Sequence, residues 1–75
     1  MPMHDLDTSG LKCPLPVLKA KKALGALEPG ERLRVVSTDP SALRDFPAYC
    51  ETAGHSLVEA VTDGSSFIFV IEKAG

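Results

Sequence analysis

Gly10-Leu11-Lys12-Cys13-Pro14-Leu15-Pro16-Val17 decides how this chain begins to fold. Proline disfavours the α region for the residue before it, so Cys13 is expected to be extended. Pro14 has its φ preset for the first position of a helix and gives up no useful donor there. Pro16 then occupies the third helical position, whose N–H has no intrahelical partner. The two prolines are accommodated together only if a helix starts here. The spacing predicts Cys13 as the N-cap, with its sulfur at the positive end of the helix dipole.

That position has chemical content. The reactive form of cysteine is the thiolate, which helix N-termini and nearby cations favour. Lys12 precedes the residue, and Lys19, Lys21 and Lys22 follow on the same helix. The N–H groups left in the first turn, at Leu15 and Val17, are candidates to face the sulfur. Lys12, Pro14 and Pro16 thus read as the helix start that supports a Cys13 thiolate. Cysteine is often simply buried. Here prolines and a lysine surround it, and the apolar periodicity begins only afterwards, which favours an exposed, reactive residue.

Outward from this point the elements follow in order. Val17, Ala20, Leu24 and Leu27 fall at i, i+3, i+7 and i+10, one face of a helix, and Pro29-Gly30 stops it. Upstream, His4 to Thr8 reads as a short edge strand, with Ser9-Gly10 as a turn. Downstream, Arg32 to Thr38 alternates as a strand, with Leu33, Val35 and Ser37 on one side. Asp39-Pro40 repeats the helix-start logic, with Asp39 as N-cap and Pro40 at the first helical position. The second helix is expected to run to about Ala53, with Leu43, Phe46, Cys50 and Ala53 on its apolar face. Pro47 is expected to kink or break it, and Gly54 to end it. His55 to Thr62 and Phe67 to Lys73 read as strands joined by a hairpin at Asp63-Gly64. The order βαβαββ predicts a two-layer α/β sandwich, a four-stranded mixed sheet with two helices on one face.

Seventy-five residues make a single domain, 1–75, with a thin core. The net charge of −2 gives no reason to expect nucleic acid. The charge is unevenly spread: residues 11–27 carry four lysines and no acid, while all ten carboxylates lie outside that stretch. This stretch reads as a solvated helix face, an electropositive collar around Cys13, or a docking surface for an acidic partner. The start Met1-Pro2-Met3-His4-Asp5 has no basic segment followed by an apolar one. The apolar run Phe67 to Ile71 is too short to cross a bilayer. A soluble cytoplasmic protein with two free thiols is therefore expected.

Other candidates are weaker. Cys50 lies in register with Leu43 and Phe46 and reads as a small core residue. Cys13, Cys50, His4 and His55 lack metal-ligand spacing, so no metal site is expected. His4 and His55 read as solvent-facing. Asp45, near the start of the second helix, is favourable against the helix dipole; with Arg44 it is also a candidate partner contact. Four aromatics, Phe46, Tyr49, Phe67 and Phe69, offer no stacking platform for single-stranded RNA.

Taken together, these residues resemble a known family. Leu6-Asp7 and Gly10-Leu11-Lys12-Cys13-Pro14-Leu15-Pro16-Val17 resemble the opening of the TusA (SirA/YedF-like) sulfur-carrier family, with its Cys-Pro-x-Pro motif at a helix start. Lys21-Lys22-Ala23-Leu24 and Pro29-Gly30 look like that family's first helix and its end. Thr38-Asp39-Pro40 and Arg44-Asp45-Phe46-Pro47-Ala48-Tyr49-Cys50 look like its second helix. The hairpin at Asp63-Gly64 also fits, so the likeness runs from about Leu6 to Lys73.

The resemblance implies a βαβαββ sandwich and a sulfur relay. The motif cysteine, here Cys13, would accept persulfide sulfur from a cysteine desulfurase or other donor and pass it to a downstream acceptor protein. It implies no cofactor, no metal, no direct nucleic-acid contact and no membrane. Lys19 and Lys22, with Arg44 and Asp45, become candidate docking residues. The variable motif position is Leu15, where the best-known branch has an acid. The pathway therefore stays open among tRNA thiolation, sulfur oxidation, molybdenum-cofactor synthesis and other sulfur-transfer tasks. Two rival classes remain: a thiol redox switch at Cys13, and a non-catalytic RNA- or protein-binding module using the lysine face of the first helix.

Overall fold

Alternation in Arg32–Ser37 sorts the molecule into two layers. Leu33, Val35 and Ser37 are buried, while Arg32, Arg34 and Val36 are half-buried on the opposite face. The computed structural model describes residues 3–74. Residues 1, 2 and 75 of the expected domain, with the Met1-Pro2 start of the segment read for a targeting signal, lie outside the described residues. The elements are β1 (Met3–Thr8), α1 (Leu15–Gly25), β2 (Arg32–Ser37), α2 (Ala42–Ala53), β3 (Ser56–Asp63) and β4 (Ser66–Glu72).

The sheet order is β1-β2-β4-β3. β1 pairs parallel with β2, and β4 runs antiparallel between β2 and β3. The sheet is therefore mixed, as the helix-bridged strands and the hairpin required. Register puts Leu6, Val35 and Phe69 on one row and Leu33 opposite Ile71. Both helices cover that face: Ala20 and Leu24 of α1 and Ala42, Phe46 and Cys50 of α2 join Leu33, Val35, Phe69 and Ile71 in one core. The Phe46 and Phe69 rings stack with centroids 4.7 Å apart, a geometry worth about 0.5–1.5 kcal/mol beyond the buried area. On the open face, Arg34 pairs with Asp5 at 3.5 Å and Arg32 with Glu72 at 3.2 Å.

Several helix details differ from the sequence expectation. α1 ends at Gly25, short of Leu27. The N–H groups of Ala26 and Leu27 reach only three residues back, to the carbonyls of Ala23 and Leu24. Lys73 Nζ donates a second hydrogen bond to the Leu24 carbonyl, at 2.7 Å, and sets a cation at the negative helix end. Leu27 nevertheless packs against the core.

α2 begins at Ala42 with Ser41 as its N-cap, so Asp39 is not the N-cap and Pro40 is not helical. Asp39 instead makes a turn: its carbonyl accepts from Ala42 N–H at 3.0 Å and its Oδ1 from Ser41 N–H at 3.1 Å. The helix runs through Pro47. The proline is exposed, and the carbonyl it leaves unpaired belongs to exposed Leu43, where solvent can take the hydrogen bond. The buried face is Ala42, Phe46 and Cys50, not Leu43 and Ala53. Small Ala42 lets the helix lie close to the sheet and turns Leu43 outward, where it is 50% exposed.

The hairpin closes on Gly64-Ser65, with Asp63 paired to Ser66. Gly64 has φ +61°, the left-handed value that the first central residue of a tight hairpin turn demands. A bulge at Val58 shifts the β3 register between Leu57 and Glu59. Among the described residues, no helix is long and apolar enough to cross a membrane.

Candidate functional site around Cys13

Parallel β1 and β2 end side by side at Thr8 and Ser37. The loops leaving them lie at the carboxyl ends of parallel strands, where open α/β sheets place their sites. Both terminal hydroxyls are fully buried. Thr8 Oγ1 donates to the Val36 carbonyl at 2.6 Å, and Ser37 Oγ accepts from Asp39 N–H at 3.2 Å. Sequence reasoning gave neither residue a structural role. The signal for Ser37 was available, because it is a polar residue in the buried register of Leu33 and Val35.

From these anchors the two loops are laced together. Leu11 N–H donates to the Thr8 carbonyl at 3.1 Å, and Gly10 N–H to Thr38 Oγ1 at 2.8 Å. Gly10 has φ +81°, a conformation costly for residues with a Cβ. Cys13 N–H donates to Asp39 Oδ2 at 2.6 Å. Asp39 therefore braces both loops, with one carboxylate oxygen on Cys13 and the other on Ser41. A cavity of about 220 Å³ lies between them, lined by Gly10, Leu11, Lys12, Thr38, Asp39 and Pro40.

Cys13 is exposed, and its thiol is free. It is not the N-cap of α1. Pro14 holds that place, and its carbonyl accepts the first intrahelical bond, from Leu18 N–H at 3.1 Å. Pro16 is the second helical residue and is buried. The Cys13–Pro14 peptide is cis. Leu15 N–H, a candidate donor to the sulfur, is engaged by the Lys12 carbonyl at 2.9 Å instead.

The electrostatics reverse the expectation of a stabilised thiolate. The Asp45 carboxylate, within hydrogen-bonding reach, holds the Cys13 thiol above its ordinary pKa; partial desolvation and the Asp45 and Asp39 charges add to this, and Arg44 opposes it. The lysine collar is also redistributed. Lys12 acts on Asp39. Lys19 and Lys22 line a groove with Leu6, Ala23 and Ala26 on the β1 side of α1. Of the candidate docking residues, Asp45 and Arg44 are the ones whose charges act on the Cys13 thiol. Cys50 is buried in the core, and burial raises its thiol pKa. His4 Nε2 meets Glu31 Oε2 at 3.2 Å, and His55 Nδ1 accepts from Ala74 N–H at 2.9 Å, so His55 is half-buried, not solvent-facing. Among the described residues, no three His, Cys, Asp or Glu side chains gather to hold a metal ion.

The Asp39 brace is testable by pH. The Cys13 N–H, then Ser41, hold its carboxyl below the usual aspartate value of 3.8. A depressed folded pKa means the tie is intact above the ordinary value and is lost as pH falls through the folded one. The Cys13 amide resonance is expected to shift in a step with its midpoint below 3.8. Asp39→Asn should abolish the step. A midpoint at or above the ordinary value in NMR titration would contradict the brace.

Comparison with known proteins supplies the remaining facts. The family model described as "Sulfurtransferase TusA" matches residues 4–73. The chain is 46% identical over 71 residues to the sulfur carrier protein TusA of Allochromatium vinosum, covering 95% of this chain and 93% of that one. The crystal structure of a SirA-like protein from Desulfitobacterium hafniense superimposes with a TM-score of 0.82 at 27% identity, covering 97% of this chain and 99% of that one.

Proposed function

The chain belongs to the TusA sulfurtransferase family, and from that premise we propose that it is a sulfur carrier loaded on Cys13. The observation that carries this reading is an exposed thiol held at the carboxyl ends of two parallel strands, on a loop braced by Asp39. Such a carrier needs no deep pocket. It needs a presented sulfur and a surface that donor and acceptor can use in turn. Leu15 and Leu18, one turn apart on α1, and Leu43 on the first turn of α2 are 46%, 52% and 50% exposed. Large apolar side chains left in solvent fit a surface that other proteins cover.

In the loading step the Cys13 sulfur attacks the outer sulfur of a cysteine persulfide on a donor such as a cysteine desulfurase. A new S–S bond forms, the donor's S–S bond breaks, and the donor cysteine leaves with the electron pair. An acceptor cysteine then attacks the Cys13 persulfide in the same way. The thiol redox switch fits less well. Redox-sensing cysteines are low-pKa thiols, whereas carboxylates push Cys13 upward.

The test is intact mass after incubation with a cysteine desulfurase and cysteine. A gain of one sulfur atom, reversed by reductant and mapped by peptide mass to Cys13, is expected. No gain with several donors, or sulfur carried on Cys50, would sink the reading.

A further inference from the structure

β1 stands at one end of the sheet order β1-β2-β4-β3, so only one of its edges is paired. The other edge presents backbone N–H and C=O groups that another strand can take up. Beside β1, on the helix side of the sheet, lies a groove of about 320 Å³. Leu6, Ala23 and Ala26 make it apolar, and exposed Lys19 and Lys22 line it as well. The four α1 residues fall at i, i+3, i+4 and i+7, a single stripe of the helix. The ion pairs among the described residues involve neither lysine. On the same side of β1, Glu31 is already met by His4. The opposite side of this edge has the opposite sign. Asp5 and Asp7 alternate with Leu6 and so stand on the open face. There Asp5 is 71% exposed beside Arg34.

This charge pattern selects the occupant. A second copy of the chain fits badly. Pairing β1 with its own copy would set Asp5 and Asp7 beside the same two acids. The other free edge, β3, carries exposed Glu59 and Asp63 on the open face, opposite Val70 and Ser66. Pairing β1 with that edge would again set acid beside acid, and like charges across strands are destabilising. A nucleic-acid backbone would suit the lysines, but it would also meet Asp5 and Asp7. We propose that the β1 edge and its groove take an extended segment of a partner protein as a fifth strand. Its side chains facing α1 are apolar and acidic, and those on the open face are basic. With an apolar residue opposite Leu6, the next residues on the helix side fall opposite His4 and Thr8. Those between fall opposite Asp5 and Asp7. Main-chain hydrogen bonds then supply the affinity and the two charge rows the selectivity. Binding here does not depend on the chemistry of Cys13, so this inference and the carrier reading fail separately.

The experiment titrates the isotope-labelled protein with capped synthetic peptides, read by amide NMR. The first probe is Thr-Glu-Arg-Val-Arg-Glu-Thr, which reads the same in both directions and so serves parallel or antiparallel pairing. The second, Thr-Lys-Asp-Val-Asp-Lys-Thr, reverses every charge. The third is the first with its backbone nitrogens methylated. The first peptide is expected to bind with a Kd of about 1 mM or tighter. It should shift the amides of Met3–Thr8 and the Lys19–Ala26 stripe, and slow hydrogen exchange at every second amide of β1. The second should bind about tenfold more weakly, since four charge pairs change sign. The methylated peptide should not bind. Lys19→Glu with Lys22→Glu should weaken the first peptide and strengthen the second. A merely misfolded variant would lose both. Equal binding of the two charge patterns, full binding of the methylated peptide, or no saturable shift at several times that concentration would overturn the proposal. So would dimers joined through β1 in sedimentation, or an RNA oligonucleotide that shifts the same amides as strongly.

Discussion

Phe46→Ala is expected to cost about 3–5 kcal/mol, the usual range for emptying a buried aromatic site. Phe46 is fully buried and stacks on Phe69 at 4.7 Å, tying α2 to the central strand β4. A chain of 75 residues has only about 4–11 kcal/mol of stability in all, at roughly 0.05–0.15 kcal/mol per residue. The variant should therefore be largely unfolded or close to it, with its urea midpoint sharply lowered. Leu43→Ala is the informative partner. The helical spacing puts Leu43 on the same face as Phe46, but Leu43 is 50% exposed. Its truncation should change stability by less than about 0.5 kcal/mol, as for most surface substitutions. Equal losses for the two variants in urea titration would contradict the packing of α2.

The two cysteines divide function from folding just as sharply. Cys13→Ser removes the only nucleophile the proposed transfer uses, so loading with sulfur should drop to background with the melting temperature almost unchanged. The residue is exposed, and its side chain has no place in the core. Cys50→Ser should do the reverse. Its sulfur lies among Ala42, Phe46 and other core side chains, and the residue is 2% exposed. A hydroxyl placed there without a partner costs roughly 1–3 kcal/mol. The surviving folded protein should still load one sulfur. Intact mass and thermal melting on the same samples decide both points. Loading that persisted in Cys13→Ser and vanished in Cys50→Ser would move the carrier role to the buried thiol.

The strand and helix order was legible because each element repeats its own period. Leu33, Val35 and Ser37 alternate and are buried; Ala20 and Leu24 recur at helical spacing and are buried, with half-buried Val17 packed against them. The βαβαββ order then left few ways to cover one sheet face. Errors fell at helix ends and on one helix face. Asp39 resembles an N-cap in sequence, yet its carboxylate is used across the chain by Cys13 as well as locally by Ser41. Leu43 and Ala42 are neighbours, and period alone does not say which one faces the sheet. The packing of α2 on the sheet buries Ala42 and leaves Leu43 in solvent.

At the candidate site, the sequence by itself singled out Cys13, because two prolines after a cysteine leave few backbone solutions. It also determined that the residue ends a loop between a strand and a helix. Only the tertiary structure decided what surrounds the sulfur. Asp39 and Asp45 lie 26 and 32 positions further along the chain, and the parallel pairing of β1 with β2 carries both to the start of α1. Lysines adjacent in sequence suggested a lowered thiol pKa, and carboxylates from the second helix and its loop raise it. Electrostatic interaction falls with distance through space, not along the chain. The direction in which the Cys13 pKa moves is therefore set by which loops the sheet brings together.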